Sequence, residues 1–186
     1  MNFKWWLLRV ILLTCSGVLS PAYGQSRIAA PSYSTPGNST WNTWAAEGPG
    51  AAGLMIVNLN NGDDTNYHVA VDQAIRATRK KGIFVVGYVY TKYGNRSPTI
   101  VHSRIDSVYR NYLVDGIFFD EVPTECDASN PFGGTQFQYY EELTNYVRRR
   151  QVGSRLTVLN PGTQSPNDCW MGMCHPPRPR TWHIAA

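Results

Sequence analysis

Two adjacent acids, Asp120 and Glu121, close the apolar run Gly116-Ile117-Phe118-Phe119, and a turn signal, Val122-Pro123, follows at once. The run reads as a buried strand. Nothing in strand formation asks for two carboxylates at its end. Burial and like-charge repulsion both oppose ionising such a pair, and surroundings of that kind suit carboxylates to proton transfer. In a regular strand, neighbouring side chains point to opposite faces. One acid therefore enters a shared site directly, and the other does so only if the chain turns immediately, as Pro123 permits. The competing reading makes the pair a helix cap or a solvated strand end. The placement of the other polar residues decides between the two.

That placement follows from the pattern along the chain. Extended segments at 28–33, 52–58, 83–90, 116–120 and 156–160 alternate with helical periods at about 39–47, 66–81, 97–112 and 135–151. Asn66 is placed to cap the second helix, with Tyr67, Val71, Ala74, Ile75 and Thr78 on its apolar side. Short strands, apolar on both faces and separated by helices, predict a parallel sheet covered by helices. Two architectures fit: a (β/α)8 barrel of the TIM type, which needs eight strands, and an open doubly wound sheet, for which five suffice. No Gly-rich phosphate loop follows the first strand, so a nucleotide has no expected seat.

In either architecture ligands sit at the carboxyl ends of the strands. Those ends offer Tyr33, Asn58, Tyr88 through Thr91 and Tyr93, Asp120-Glu121 and Asn160, whereas the opposite ends begin with Ala52, Ile83, Gly116 and Leu156 and carry no chemistry. Carboxylates with amide and phenol groups match glycoside hydrolysis, in which one acid protonates the leaving oxygen and a second attacks, acts as base or stabilises charge. Asp120 and Glu121 are the catalytic candidates. Tyr33, Asn58, Tyr88, Tyr93 and Asn160 are the substrate-binding ones. The histidines His68, His102, His175 and His183 fall on helices or in the C-terminal segment, which argues against a Ser-His-Asp hydrolase. No set of metal ligands accompanies the acids, and no cofactor or metal is expected.

The chain ends carry separate signals. Lys4 precedes an apolar stretch from Trp5 to Leu19 that Arg9 interrupts, and Pro21-Ala22-Tyr23-Gly24 fits cleavage before Gln25, so residues 1–24 read as a signal peptide rather than a lasting membrane anchor. Three cysteines then remain, and Cys126 is expected to pair with Cys169 or Cys174 in an oxidising compartment. Without Lys4, Arg9, Arg178 and Arg180, 13 basic residues face 13 acidic ones, a balance with no footprint for nucleic acid or an anionic membrane. The Pro/Arg-rich stretch 171–186 has no strand or helix period and reads as an aberrant or disordered tail behind a domain spanning 25–170.

Four stretches together resemble one known family: Asn58 closing Met55-Ile56-Val57, the segment Gly87-Tyr88-Val89-Tyr90-Thr91-Lys92-Tyr93-Gly94, the run Gly116 to Glu121, and Leu159-Asn160-Pro161-Gly162-Thr163. In that order they look like the spherulin 4 family (spherulation-specific family 4) over roughly residues 28–170. The resemblance implies a TIM barrel, an extracellular or cell-surface location, and endo-acting hydrolysis of galactosamine-containing polysaccharide, with Asp120 and Glu121 matching the family's acidic pair. It also implies further strands after the Asn160-Pro161-Gly162 turn, one of them ending in a Phe-Glu whose acid joins the site. Here the last acid is Asp168. The expectation is therefore a barrel cut short after about five βα units, or an inactive, carbohydrate-binding relative.

Overall fold

The structure is a computed structural model and describes residues 28–30, 35–50, 52–150, 155–162, 167–170 and 181–183. The expected leader, Tyr33 and Cys174 lie outside these residues, and of the segment 171–186 only 181–183 falls within them. Among the described residues six strands form one parallel sheet: β1 (Ile28–Ala30), β2 (Ala52–Val57), β3 (Phe84–Tyr90), β4 (Gly116–Asp120), β5 (Leu156–Leu159) and β6 (Thr181–His183). Their order across the sheet is their order along the chain. Between them run α1 (Ser39–Ala46), α2 (Val69–Lys80), α3 (Pro98–Asn111) and α4 (Gln136–Arg150). Strand β6 corrects the reading of 171–186 as patternless throughout. Three residues are too few to show a period, and the strand is defined by its pairing, Thr157 with Thr181.

Alternation along the strands separates two faces. Val57, Val85, Val89, Ile117, Phe119 and Leu159 pack against the helices, meeting Trp41 of α1, Ile75 of α2, Ile105 of α3, and Tyr140 and Leu143 of α4. The other face gathers Leu54, Ile56, Phe84, Val86, Tyr88, Tyr90, Phe118, Leu156 and Val158, and among the described residues no helix side chain joins this apolar cluster. Neighbours along the sheet fill it instead: Ile56 lies level with Val86, Gly116 and Leu156, and Tyr88 lies level with Phe118 and Val158.

Helix ends follow side-chain chemistry. Asn38 caps α1 by accepting the Trp41 N–H at 2.9 Å. Pro98 opens α3, where a missing N–H costs nothing. The second helix starts at Val69, so Asn66 is not its cap. The Tyr112 hydroxyl, reaching over from the end of α3, accepts the His68 N–H at 3.1 Å and donates to the Asn66 carbonyl at 3.0 Å. A long-range partner replaces the local one, and Tyr67, left outside the helix, is 54% exposed.

The amino ends of the strands are less bare than the sequence suggests. Asp115, next to β4, binds Arg79 of α2 through both oxygens, at 2.7 and 2.9 Å, and accepts the Val85 N–H at 3.0 Å. Both oxygens of this buried acid serve to join helix to sheet, a structural use.

A disulfide joins Cys126, in the β4–α4 loop, to Cys169 beyond β5. Beside it Trp170 is buried against Phe137 and Tyr140, and its indole N–H donates to the Thr124 carbonyl at 3.0 Å. The bridge closes a loop across a sequence separation of 43. Replacing both cysteines with serine is expected to lower stability by about 2–4 kcal/mol, checked by urea unfolding of both proteins.

Burial holds the phenols of Tyr109, Tyr139 and Tyr140 well above the ordinary tyrosine range. A group whose folded pKa is raised stabilises the fold below its unfolded pKa, here about 10, and that contribution is lost as pH rises beyond it. Unfolding above about pH 10 should therefore be cooperative. Phenolate absorbance from these three should appear together with the loss of circular dichroism rather than before it.

Candidate active site

Asp120 is the last residue of β4, on the face of the Tyr88 and Phe118 cluster, and lies level with Tyr90 of β3. Two strands supply its partners. The Tyr88 hydroxyl donates to Oδ2 at 2.7 Å, and the Asn160 amide donates to Oδ1 at 2.8 Å. Asn160 is itself fixed, because its N–H donates to the Phe119 carbonyl at 2.9 Å and its own carbonyl accepts the Val122 N–H at 3.1 Å. The carboxylate is thus oriented from both sides, with each oxygen retaining lone-pair capacity for a ligand.

Glu121 makes the turn that the sequence assigns to Pro123. Its φ is 55°, the left-handed region, which costs a side-chain-bearing residue about 1–3 kcal/mol. The surroundings hold it there. Its carbonyl accepts the Tyr93 N–H at 2.7 Å and lies 3.0 Å from the Thr91 hydroxyl, which also sits 2.8 Å from the Asp120 carbonyl. Thr91 and Tyr140 are fully buried and hydrogen-bond each other. A loop after β3 and a helix after β4 therefore grip the main chain of the acidic pair. The Glu121 side chain is partly exposed, and no described residue hydrogen-bonds its carboxylate.

The other expected site residues divide. Tyr88 and Asn160 meet Asp120 directly. Asn58 lies one residue past the Val57–Gly87 pair, so it continues β2 alongside Tyr88. Its Oδ1 is buried and has no hydrogen-bond partner among the described residues. Tyr93 is 57% exposed in a loop where it and Lys92 both take positive φ. Its main chain, rather than its phenol, touches the acids. Tyr33 lies outside the described residues.

Three neighbours were not among the expected site residues. Tyr90, two residues past Tyr88, shares the face of Asp120. The Arg96 guanidinium stacks 3.8 Å over the Tyr90 ring, donates to the Tyr90 carbonyl at 3.1 Å, and reaches Asp63 Oδ1 at 3.0 Å. Arg104 approaches the same oxygen at 3.4 Å. Tyr90 already falls in the strand-end stretch Tyr88 to Thr91, and strand parity puts it on the face of Asp120. Arg96 and Asp63 come from irregular loops, where spacing carries no signal.

A helix-layered parallel sheet with a held acidic pair at its carboxyl edge is the class of protein described so far. The family model described as spherulation-specific family 4 matches residues 27–176. The chain belongs to that family. It is 29% identical over 171 residues to Spherulin-4 of Physarum polycephalum, covering 87% of this chain and 47% of that protein. The chain thus spans about half the length of that relative. No solved structure matches it. Among the described residues no helix is long and apolar enough to cross a membrane.

Proposed function

We propose that this chain is a secreted or cell-surface glycoside hydrolase acting on a galactosamine-containing polysaccharide, built on the strands of a (β/α)8 barrel. The observation that carries the reading is the contrast within the acidic pair. Asp120 is oriented by Tyr88 and Asn160, while Glu121 sits on a held, left-handed main chain with its carboxylate unpartnered among the described residues. Two carboxylates in unlike surroundings suit two unlike roles. In this reading Asp120 faces the anomeric carbon and stabilises its developing charge, and Glu121 exchanges the proton with the glycosidic oxygen.

Two features favour the barrel. The strand order has no reversal, as a doubly wound sheet would require. The apolar face without helix residues matches a barrel interior filled by layers of side chains. The disulfide and the leader expected at 1–24 support export. The substrate class rests on the family resemblance.

The test is release of new reducing ends from a galactosamine-rich polysaccharide by the purified protein. Release that survives both Asp120→Asn and Glu121→Gln removes the assignment. A second reading, a carbohydrate-binding protein without turnover, gives Asp120 a purely hydrogen-bonding role beside Tyr88 and Asn160. Binding of the same polysaccharide with no reducing-end release would select it.

A further inference from the structure

Two exposed aromatic rings lie on the loops that follow β3 and β4. Tyr93 is on the loop after β3, and Phe132, 48% exposed, is on the loop after β4. These are the loops that leave the strand carrying Asp120 and its neighbour. An exposed phenylalanine on a floppy loop would need no explanation, but this one is fixed in place. Its loop folds back on itself, with Ser129 bridged to Thr135 and the Gly133 N–H donating to the Asn130 carbonyl at 3.0 Å. The Asn130 side chain, buried, accepts the Phe132 N–H at 2.9 Å and donates to the Gly94 carbonyl at 2.9 Å. Asn130 thus joins the Phe132 loop to the residue after Tyr93.

Support continues beneath the ring. Phe132 stacks on Tyr139 with centroids 6.3 Å apart and planes 24° apart. The Tyr139 hydroxyl donates to the Arg96 carbonyl at 2.6 Å, and Arg96 in turn backs Tyr90. From the other side, the Tyr93 N–H donates to the Glu121 carbonyl. The Phe132 ring and the Tyr93 main chain are therefore tied to the frame that holds the acids. A ring already ordered loses little entropy on binding, and it offers an apolar face with negative charge density to the C–H groups of a flat ligand.

From this juxtaposition we propose that Tyr93 and Phe132 form a platform along which successive sugar residues of a glycan chain lie as it crosses Asp120 and Glu121. The proposal rests on the glycan reading of the site and adds to it that the site grips a chain rather than a single sugar. Phe132 is a specificity-determining residue in this account, and Asn130 and Tyr139 are its positioning residues.

The experiment is calorimetric titration of a soluble galactosamine polymer into the Asp120→Asn protein, which separates binding from turnover. Phe132→Ala and Tyr93→Ala, each added to that background, should weaken binding by about fivefold or more. Phe132→Trp should keep it, which distinguishes a platform from a structural prop. Leu113→Ala, an exposed apolar residue just before β4 at the opposite end of the sheet, should change nothing. Polymer affinity within twofold after Phe132→Ala overturns the platform, even if the unaltered protein cleaves the polymer. Weakened binding in a protein that cleaves nothing keeps the platform and rejects the hydrolase. No binding by either the unaltered protein or the Asp120→Asn protein rejects both.

Discussion

Asp120→Asn is expected to slow reducing-end release by about 10²–10⁴-fold with little change in Tm. The reason lies in its partners. The replacement has nearly the same shape, so the end of β4 keeps its packing. Tyr88 can rotate its hydroxyl to accept where it now donates, and Asn160 still finds one carbonyl oxygen. What disappears is the negative charge facing the reacting carbon. Glu121→Gln should lose a comparable factor, because an amide cannot hand over a proton. A large drop in Tm for either variant would show instead that the pair serves the fold, as Asp115 does at the other edge of the sheet. Rate and melting temperature, measured on the same preparations, separate the two cases.

Gly116→Ala should damage the fold more than any substitution at the acids. A β-carbon built at Gly116 runs into the carbonyl oxygen and carbonyl carbon of Leu156 on the neighbouring strand. A side chain can rotate away from such a clash, but a paired main chain cannot. Here β4 and β5 pair from Gly116 with Leu156 through Phe119 with Leu159, directly below Asp120 and Asn160. Prying these strands apart should cost about 3 kcal/mol or more, lowering Tm by roughly 10 °C at 2–4 °C per kcal/mol. Gly50→Ala is the control, since nothing lies within 4 Å of the added carbon and its φ is unremarkable. Equal melting temperatures for the two variants would show that β4 and β5 approach less closely than described.

Much of this frame can be read in the sequence because a strand alternates by two. Once Gly116 to Asp120 is recognised as a strand that faces its neighbours in register, the even-numbered residues Tyr88, Tyr90, Asp120 and Asn160 fall on one face. The pairing then brings them together. Period alone also located the four helices to within about three residues at each end. What escaped it was non-local or conformational. Tyr112 caps α2 from another helix. Arg96 finds Asp63 and Tyr90 only after two loops have folded. Positive φ at Lys92, Tyr93 and Glu121 leaves no mark in residue types that ordinarily avoid it.

Glu121 has a consequence for how this protein can change. A left-handed turn at a strand end is the natural place for glycine or asparagine, and a chain shaped by thermal robustness alone would drift to one of them. Its glutamate is the costlier choice, tolerated because Thr91, Tyr93 and Tyr140 restrain the backbone. Under the proposed role of Glu121, robustness and chemistry pull in opposite directions at one codon. Descendants that lose the reaction should abandon this glutamate early and become harder to melt as they do.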